Sequence, residues 1–185
     1  MNVMIDLETL DTSPSAVVLS IGAVAFSDDG VKSGEFYVEL TGDLETQQKA
    51  GRTTSMSTLL WWMGQGAAAQ TVFRSHPVGG VVRMDTVAAL EALRGFLFAQ
   101  GPLDQIKMWA NGSDFDNVIM RSLYESFGME APWKFYNHRC YRTFKSLPGA
   151  PKAGPREGVY HNALADAQHQ YVHWTEISAW LRNHV

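Results

Sequence analysis

The chain has 185 residues, of which 45% are hydrophobic, and this length and composition are typical of a globular protein rather than a disordered one. One cysteine cannot form an intramolecular disulfide, and the start of the chain lacks the pattern of a signal peptide, so we expect a cytoplasmic protein without a membrane span. The formal net charge of −4 argues against binding to polyanions through overall positive charge.

The first part of the chain has the pattern of three strands. Val3 to Leu7 is a short apolar run that ends at acidic residues, and Val17 to Phe26 is rich in Val and Ile. A turn signal follows, and Gly34 to Leu40 alternates in polarity, which together predict an antiparallel meander. The polar stretch from Thr41 to Met56 predicts a loop.

Helical patterns come next. Ser57 to Met63 and Ala67 to Arg74 predict two short helices, and His76 to Met84, which contains Pro and Gly, predicts a connector. Asp85 is a suitable N-cap for an amphipathic helix, because five apolar residues that follow it share one face. They are Val87, Leu90, Leu93, Phe96 and Leu97.

The second half of the chain alternates between strands and helices. Ile106 to Ala110 predicts a buried strand, and a turn from Asn111 to Asp114 leads into a helix that closes near Gly128. Asn137 to Tyr141 predicts a further strand, and Ala163 to Leu181 predicts the last helix. Three strands followed by this alternation predict an α/β fold, with a mixed sheet flanked by helices.

The first group of candidate functional residues lies on the first strand. Side chains two residues apart share a face of a strand, so Asp6 and Glu8 point the same way while Leu7 points to the core. Two adjacent carboxylates repel each other unless a cation lies between them, and oxygen ligands suit Mg²⁺ or Mn²⁺. The alternative is a solvated strand end.

Two further groups contain aspartates. Asp114-Phe115-Asp116 stands at a strand-to-helix turn, where Asp114 could cap the helix and Asp116 face the sheet. The alternative is that both only place negative charge at a helix N-terminus. His161 follows a Pro/Gly-rich segment, Pro148 to Gly158, which we predict to be mobile, and precedes Asp166 by five residues. A histidine there could titrate near neutrality and act on a bound ligand, or be a bystander.

In this order, the three groups resemble the motifs of the DEDD exonuclease superfamily, and His161 with Asp166 resembles the third motif of its DEDDh subgroup. The sequence from Met4 to Thr9 and from Val18 to Val24, the pair Trp61-Trp62, and His138 to Thr143 are similar to small exonucleases of phage, plasmid and bacterial genomes. That group is typified by a mycobacterial 3′→5′ exoribonuclease. The resemblance covers the chain from Val3 to about Trp174 and departs at one position: many relatives have His-Asn-Ala where this chain has Asn-Gly-Ser, at 111–113.

The resemblance implies a single domain, 1–185, with a ribonuclease H-like fold: a mixed five-stranded sheet, an antiparallel meander followed by parallel strands, flanked by helices. It implies that Asp6, Glu8, Asp116 and Asp166 hold two Mg²⁺ or Mn²⁺ ions and that His161 is the general base. The implied activity is 3′→5′ hydrolysis of single-stranded RNA or DNA with a free 3′ end, RNA being favoured, to 5′-mononucleotides. It also implies a homodimer.

Candidate substrate contacts are less specific. By resemblance, Thr9 and Leu10 lie where the terminal nucleotide binds, although Leu10 has the alternative of being a buried neighbour. Asn111 is a further candidate. From Pro132 to Arg156 the chain has six Lys or Arg residues, no acidic residue, and five aromatic residues before Lys145. Such a mixture suits phosphate contact and base stacking, and we predict that Arg139 or Arg142 contacts phosphate. The alternative is that these aromatics belong to the core.

Two questions stay open at this level. Adjacent residues of a helix diverge by about 100°, so Trp61 and Trp62 cannot both face one core, and one of them lies near the cleft or in a subunit contact. The other open question is catalysis itself: a binding or assembly module could retain the fold without activity. Such a module is expected to lose metal-ligand positions, whereas all five motif residues are present here.

Overall fold

Five strands form one mixed sheet in the computed structural model of the chain, which describes residues 1–74, 76–77, 80–156, 158 and 160–184. Their order across the sheet is β3-β2-β1-β4-β5. The strands are β1 (Asn2–Thr9), β2 (Val18–Phe26), β3 (Lys32–Glu39), β4 (Lys107–Ala110) and β5 (His138–Cys140).

Strand directions follow from the connections. β1, β2 and β3 are joined by short links, and each pairs antiparallel with the next. β4 and β5 are reached through helices; β4 pairs parallel with β1, and β5 pairs parallel with β4. Asp6 pairs with Gly22, and Met4 pairs with Trp109 on β4. This is the ribonuclease H-like arrangement of an antiparallel meander extended by parallel strands, as the sequence predicted.

Six α-helices surround the sheet within the described residues: α1 (Leu44–Lys49), α2 (Met56–Met63), α3 (Thr86–Ala99), α4 (Asp116–Ser126), α5 (Tyr141–Phe144) and α6 (Ala163–His184). Three short 3₁₀ turns span Ala69–Phe73, Leu103–Gln105 and Phe135–Asn137. The side chain of Asp85 caps α3 as predicted, since it accepts a hydrogen bond from the backbone N–H of Ala88 at 2.8 Å.

The pleat of β1 divides the molecule into two layers. Val3, Ile5 and Leu7 point into the larger core, which they share with the apolar residues of α3 and α4. Met4 points to the other face and packs with Trp174 of α6. Asp6 and Glu8 alternate in phase with Met4, so the carboxylates of β1 lie on the α6 face of the sheet.

Some local predictions were wrong. The stretch from Thr41 to Met56 contains α1, because Gln47 is buried and its side chain bonds both backbone groups of Val18, which ties this polar helix to the sheet. Ala67 to Arg74 forms a 3₁₀ turn rather than an α-helix. The predicted connector from His76 to Met84 includes positions 78 and 79, and the predicted mobile segment includes position 157; these three positions lie outside the described residues.

Every helix in the part of the chain that the structure describes is too short or too polar to cross a membrane.

Candidate active site

Two carboxylates come from the centre of the sheet. Asp6 and Glu8 project from β1 toward α6, and Glu8 is 7% exposed. The side-chain amide of Gln170, on α6, donates to Asp6 Oδ1 at 2.7 Å. Because β1 is the middle strand, the backbone that carries both carboxylates is paired with β2 along its length and with β4 at Asn2–Met4. This fixes their separation before any ligand arrives.

Asp116 is brought to the same place by the turn after β4. It is the first residue of α4 and is 3% exposed, and its Oδ1 accepts a hydrogen bond from the backbone N–H of Leu7 at 3.1 Å. The next residue, Asn117, donates to the carbonyl of Met108 at 3.0 Å and so holds the start of α4 against β4. The N-cap position belongs to Phe115 and not to Asp114, so the capping role considered for Asp114 is wrong.

Asp166 enters from the first turn of α6. The side chain of Asn162 accepts from the backbone N–H of Ala165 at 3.0 Å and caps this helix. Asp166 is 9% exposed and faces β1 because α6 crosses the sheet at Gly22: an added Cβ at that glycine would lie 2.2 Å from the carbonyl carbon of Ala163. The helix therefore lies directly on the sheet at the position where its aspartate must reach Asp6.

His161 precedes the cap in a left-handed backbone conformation. Its φ of 60° is uncommon for a residue other than glycine and often marks a functional position. The imidazole lies edge-on to Trp61 of α2, with ring centroids 4.7 Å apart, and 6.2 Å from Trp62. One ligand atom from each of Glu8, His161 and Asp166 lies within 4.8 Å of the others, which is close enough to share one metal ion.

The carboxylates perturb each other electrostatically. Burial and the neighbouring Asp116 raise the pKa of Glu8 to about 8, and burial raises the pKa of Asp116 to about 7. Burial, Asp116 and Glu8 together raise the pKa of Asp6 well above its usual range. Such shifts arise where negative charges are held close together in a low dielectric, and a divalent cation reverses them. The four carboxylates therefore fit a site for hard divalent cations.

A cation of the chain itself already lies against this group. The guanidinium of Arg156 pairs with Asp166 Oδ1, and its carbon lies 4.3 Å from the ring centroid of Tyr160. Its charge lowers the pKa of Asp6 and of Glu8, although burial outweighs this effect at both. Burial and, secondarily, Arg156 lower the pKa of His161, which favours the neutral imidazole.

These side chains line a cleft of about 870 Å³. Asp6, Glu8, Asp166 and His161 contribute to its wall, and Asp116 lies beneath it through its bond to the backbone of Leu7. Four cations line the same cleft: Arg142, Lys145, Lys152 and Arg156. A cleft lined by both carboxylates and cations suits a ligand that combines divalent cations with phosphate.

A smaller pocket of about 360 Å³ adjoins the cleft at Leu7 and Glu8. Thr9, Trp61 and Phe115 line it together with several hydroxyl groups. Trp61 is 44% exposed here, whereas Trp62 is 2% exposed and donates its indole N–H to the carbonyl of Thr9 at 2.9 Å. Of the two tryptophans, then, Trp61 faces the candidate active site and Trp62 belongs to the core.

The predicted substrate contacts do not all lie together. Asn111 and Arg142 line the cleft, and Arg142 also donates to the carbonyl of Asn111 at 2.8 Å. Thr9 lines the smaller pocket. Leu10 is 5% exposed and packs in the core beside Trp62, as in the alternative of a buried neighbour. Arg139 lies on β5, where its Nη1 donates to the carbonyls of Tyr136 and His138.

Sequence reasoning missed two residues of this site. Gln170 follows Asp166 by one helical turn, so the helical period could have placed it on the same face. Arg156 stands in an irregular Pro/Gly-rich segment, and no local pattern connects it to Asp166. That segment is held to the body of the protein by His173, since its Nε2 lies 2.9 Å from the carbonyl of Pro151 and its Nδ1 2.6 Å from the hydroxyl of Tyr141.

Residues 1–178 match one protein family, described as the Rv2179c-like 3′-5′ exoribonuclease domain. No curated protein sequence matches the chain.

The fold is similar to those of several nucleases. A zinc-bound complex of E. coli exonuclease I with single-stranded DNA superimposes with a TM-score of 0.65 and 11% identity, covering 98% of this chain and 41% of that one. The nuclease domain of 3′hExo, a DEDDh family member bound to rAMP, gives 0.61 and 11%, covering 98% and 92%. Cell-death related nuclease 4 gives 0.54 and 12%, covering 97% and 64%. The chain thus spans about two fifths of the length of exonuclease I and nearly all of the 3′hExo nuclease domain, and it shares their fold.

Proposed function

The chain belongs to the Rv2179c-like 3′-5′ exoribonuclease domain family, and on this premise we propose that it is a metal-dependent 3′→5′ exonuclease. Its substrate is single-stranded nucleic acid with a free 3′ end, RNA being favoured over DNA, and its products are 5′-mononucleotides. One observation carries the proposal: Asp6, Glu8, Asp116, Asp166 and His161, which are spread over 161 positions of the chain, converge at one cleft.

In this proposal the four carboxylates hold two Mg²⁺ or Mn²⁺ ions. Bound metal ions of this kind lower the pKa of a coordinated water and stabilise negative charge on the attacking and leaving oxygens. The chain supplies the rest of the site: Gln170 fixes one oxygen of Asp6, and the N–H of Leu7 fixes one oxygen of Asp116. Each of these hydrogen bonds also orients the other oxygen of its carboxylate toward the proposed metal ions.

His161 is the general base. Its lowered pKa keeps a ring nitrogen free to accept the proton of the attacking water at neutral pH. The packing of Trp61 against the imidazole, at 4.7 Å between centroids, limits how far the side chain can swing. The water oxygen then bonds to phosphorus, the bond to the 3′ oxygen of the preceding nucleotide breaks, and that oxygen leaves and takes a proton from the solvent, to which His161 in turn releases the proton it accepted.

The substrate lies along the cations of the cleft. Arg142, Lys145, Lys152 and Arg156 are placed to contact phosphates, and Arg156 must exchange its partner Asp166 for phosphate when metal ions neutralise that carboxylate. The terminal nucleotide occupies the smaller pocket between Thr9, Trp61 and Phe115. The complexes of similar fold that hold single-stranded DNA and rAMP support this class of ligand.

A catalytically weak binding or assembly module that retains the fold is the alternative. The raised pKa values of Asp6, Glu8 and Asp116 disfavour it, because clustered buried carboxylates destabilise a protein that binds no cation through them. A module that only binds nucleic acid gains nothing from retaining this cluster.

We also propose that the protein is a homodimer and that it works in the cytoplasm. The exposed face of α2 supports self-association: Met56, Leu60 and Met63 are 59–75% exposed on one short helix. The chain has no charged residue between Arg52 and Arg74. Light scattering of the wild type and of Leu60→Glu tests the dimer. We expect the mass of a dimer for the wild type and of a monomer for the variant, and a monomeric wild type would contradict the proposal.

The decisive experiment offers 5′-labelled single-stranded RNA and DNA of one sequence, with Mg²⁺, Mn²⁺ or EDTA. A metal-dependent ladder that shortens from the 3′ end is expected, and faster shortening of RNA supports the substrate assignment. An Asp116→Asn variant is the matched inactive control, since it removes one proposed metal ligand beneath the surface of the cleft. Folded wild-type protein that degrades neither strand with either metal would favour the binding module.

A further inference from the structure

Two large aromatic side chains lie side by side on the surface, away from the catalytic carboxylates. Phe135 and Tyr136 are 64% and 60% exposed, and their ring centroids are 5.4 Å apart at an angle of 74°. They belong to the 3₁₀ turn that leads into β5. By sequence, the aromatic residues of this region could be either core residues or substrate contacts. Phe135 and Tyr136 are not core residues, whereas Trp133 and Tyr141 are.

The turn that carries the two rings is held in place by several hydrogen bonds. Trp133, which is buried, donates its indole N–H to Nε2 of His138 at 3.0 Å. The side-chain amide of Asn137 donates to the carbonyl of Asp104 at 2.6 Å, and Arg139 donates to the carbonyl of Tyr136 at 2.9 Å. A ligand that stacks on the rings therefore loses little free energy to ordering the protein.

The register of the sheet relates this turn to the catalytic carboxylates. Arg139 pairs with Trp109, and Trp109 pairs with Met4, so these three residues lie in one row across β5, β4 and β1. Paired residues of neighbouring strands share a face, and Met4 shares its face with Asp6. At about 4.8 Å between strands, the backbone of Arg139 is about 10 Å from β1. Arg139 therefore stands on the face of the catalytic carboxylates, at the edge strand of the sheet, and the turn that carries the two rings directly precedes this strand.

Cationic side chains lie near both the cleft and the turn. Arg142 and Lys145, which follow β5 directly, line the catalytic cleft. At the turn, the guanidinium of Arg121, on α4, lies 6.0 Å from the ring centroid of Phe135, and it also forms a long ion pair with Glu125 at 3.8 Å. Exposed rings with arginines nearby are the surface on which single-stranded nucleic acids stack.

We propose that Phe135, Tyr136 and Arg139, here called the β5 platform, bind the 5′-ward part of a single strand whose 3′ end lies in the catalytic cleft. This rests on the proposed function for the direction of the strand, and it deepens that function by assigning a second subsite. Bases stack on the two rings without regard to sequence, and Arg139 contacts a phosphate. The platform favours long strands over dinucleotides, which are too short to reach it.

Binding is the primary test. In an Asp6→Asn background, fluorescence anisotropy with a labelled single-stranded RNA of about 20 nucleotides compares the intact platform with the double variant Phe135→Ala/Tyr136→Ala. We expect the dissociation constant to rise about tenfold. Phe98→Ala is the matched control, because Phe98 is 73% exposed on α3 and should leave the affinity unchanged. Equal affinity of the double variant, with an unchanged circular dichroism spectrum and Tm, would overturn the platform.

Kinetics and salt dependence separate this subsite from the catalytic cleft. With Asp6 intact, the double variant should cleave a dinucleotide at the wild-type rate and show a KM about tenfold higher on the long strand. Arg139→Ala should lower the slope of log affinity against log salt by about one. A wild-type protein that hydrolyses neither substrate would contradict the proposed exonuclease function, while the binding comparison would still decide the platform. An equal loss of activity on the dinucleotide and on the long strand would overturn the platform, because it would show that the two substitutions affect only the catalytic cleft.

Discussion

Asp6 and Gly22 are paired across β1 and β2, and the absence of a side chain at Gly22 allows the first turn of α6 to lie on the sheet beside Asp6. Ala163 occupies the space that a Cβ would need, and Asp166 follows within the same turn. A glycine in β2 therefore sets the distance between two carboxylates that are 160 positions apart in the chain.

Replacement of this glycine tests that relationship. In Gly22→Ala the new methyl group would lie 2.2–2.4 Å from backbone atoms of Ala163 and Leu164, so α6 must shift away from the sheet. We expect a loss of about 3 kcal/mol in the free energy of unfolding and a loss of activity beyond the loss of folded protein. Denaturant unfolding and activity per folded molecule measure the two effects. Gly95→Ala in α3 is the control, where an added Cβ meets open space and should stabilise by about 0.5–1 kcal/mol.

Removal of one carboxylate should separate activity from stability. In Asp6→Asn we expect activity to fall by about a thousandfold or more, because the proposed metal site loses a ligand. In EDTA the same variant should melt at a higher temperature than the wild type, since it replaces a buried carboxyl whose ionisation is disfavoured by burial, Asp116 and Glu8. Nuclease assays and thermal melts measure both. Normal activity in a folded variant would contradict the assignment of Asp6.

The metal-free protein should lose stability as pH rises. Glu8 and Asp116 have pKa values of about 8 and about 7 in the folded chain, against ordinary values of 4.5 and 3.8. Between these limits the folded state binds more protons than the unfolded state, so the stability they contribute is complete at about pH 4 and is lost through pH 7–8. Melts in EDTA should show a lower Tm at pH 8.5 than at pH 6.

Metal ions should reverse this trend. Because cations replace the protons of these carboxylates, saturating Mn²⁺ should raise the Tm more at pH 8.5 than at pH 6, and titration calorimetry should detect proton release. Glu8→Gln is the control, since it removes one of the shifted groups and should flatten the pH dependence in EDTA. A Tm that is independent of pH in the wild type would show that the carboxylates do not interact as described.

The two adjacent tryptophans should give opposite phenotypes. Trp62→Ala removes a buried side chain and its hydrogen bond to the carbonyl of Thr9, so we expect a loss of about 3–5 kcal/mol in stability. Trp61→Ala should cost less than about 1 kcal/mol but reduce activity about tenfold or more, because the imidazole of His161 loses its neighbour. Trp61→Phe should restore much of the activity. Stability and kcat that change together in both variants would contradict this division.

The sequence by itself determined the parts of the fold that depend on local periodicity and on strong motifs. Alternation in β1 predicted that Asp6 and Glu8 share a face, because the side-chain period of a strand is two. Apolar spacing predicted α3, and Asp85 was recognisable as its cap because aspartate accepts from free N–H groups at a helix start. The order of the motifs predicted the exonuclease fold that the family match and the nucleases of similar fold confirm.

Tertiary structure decided what depends on long-range contact. The polar helix α1 forms because Gln47 bonds the backbone of Val18, a partner that no local pattern reveals. Which of Trp61 and Trp62 is buried depends on how α2 packs, with Trp62 bonded to the carbonyl of Thr9. Arg142 lines the cleft from α5, which follows β5, whereas Arg139 stays on β5, the edge strand of the sheet. Arg156 reaches Asp166 from an irregular segment. The physical reason is common to all four cases: periodicity fixes the direction of a side chain relative to its own backbone, whereas its partner is fixed only when distant segments pack.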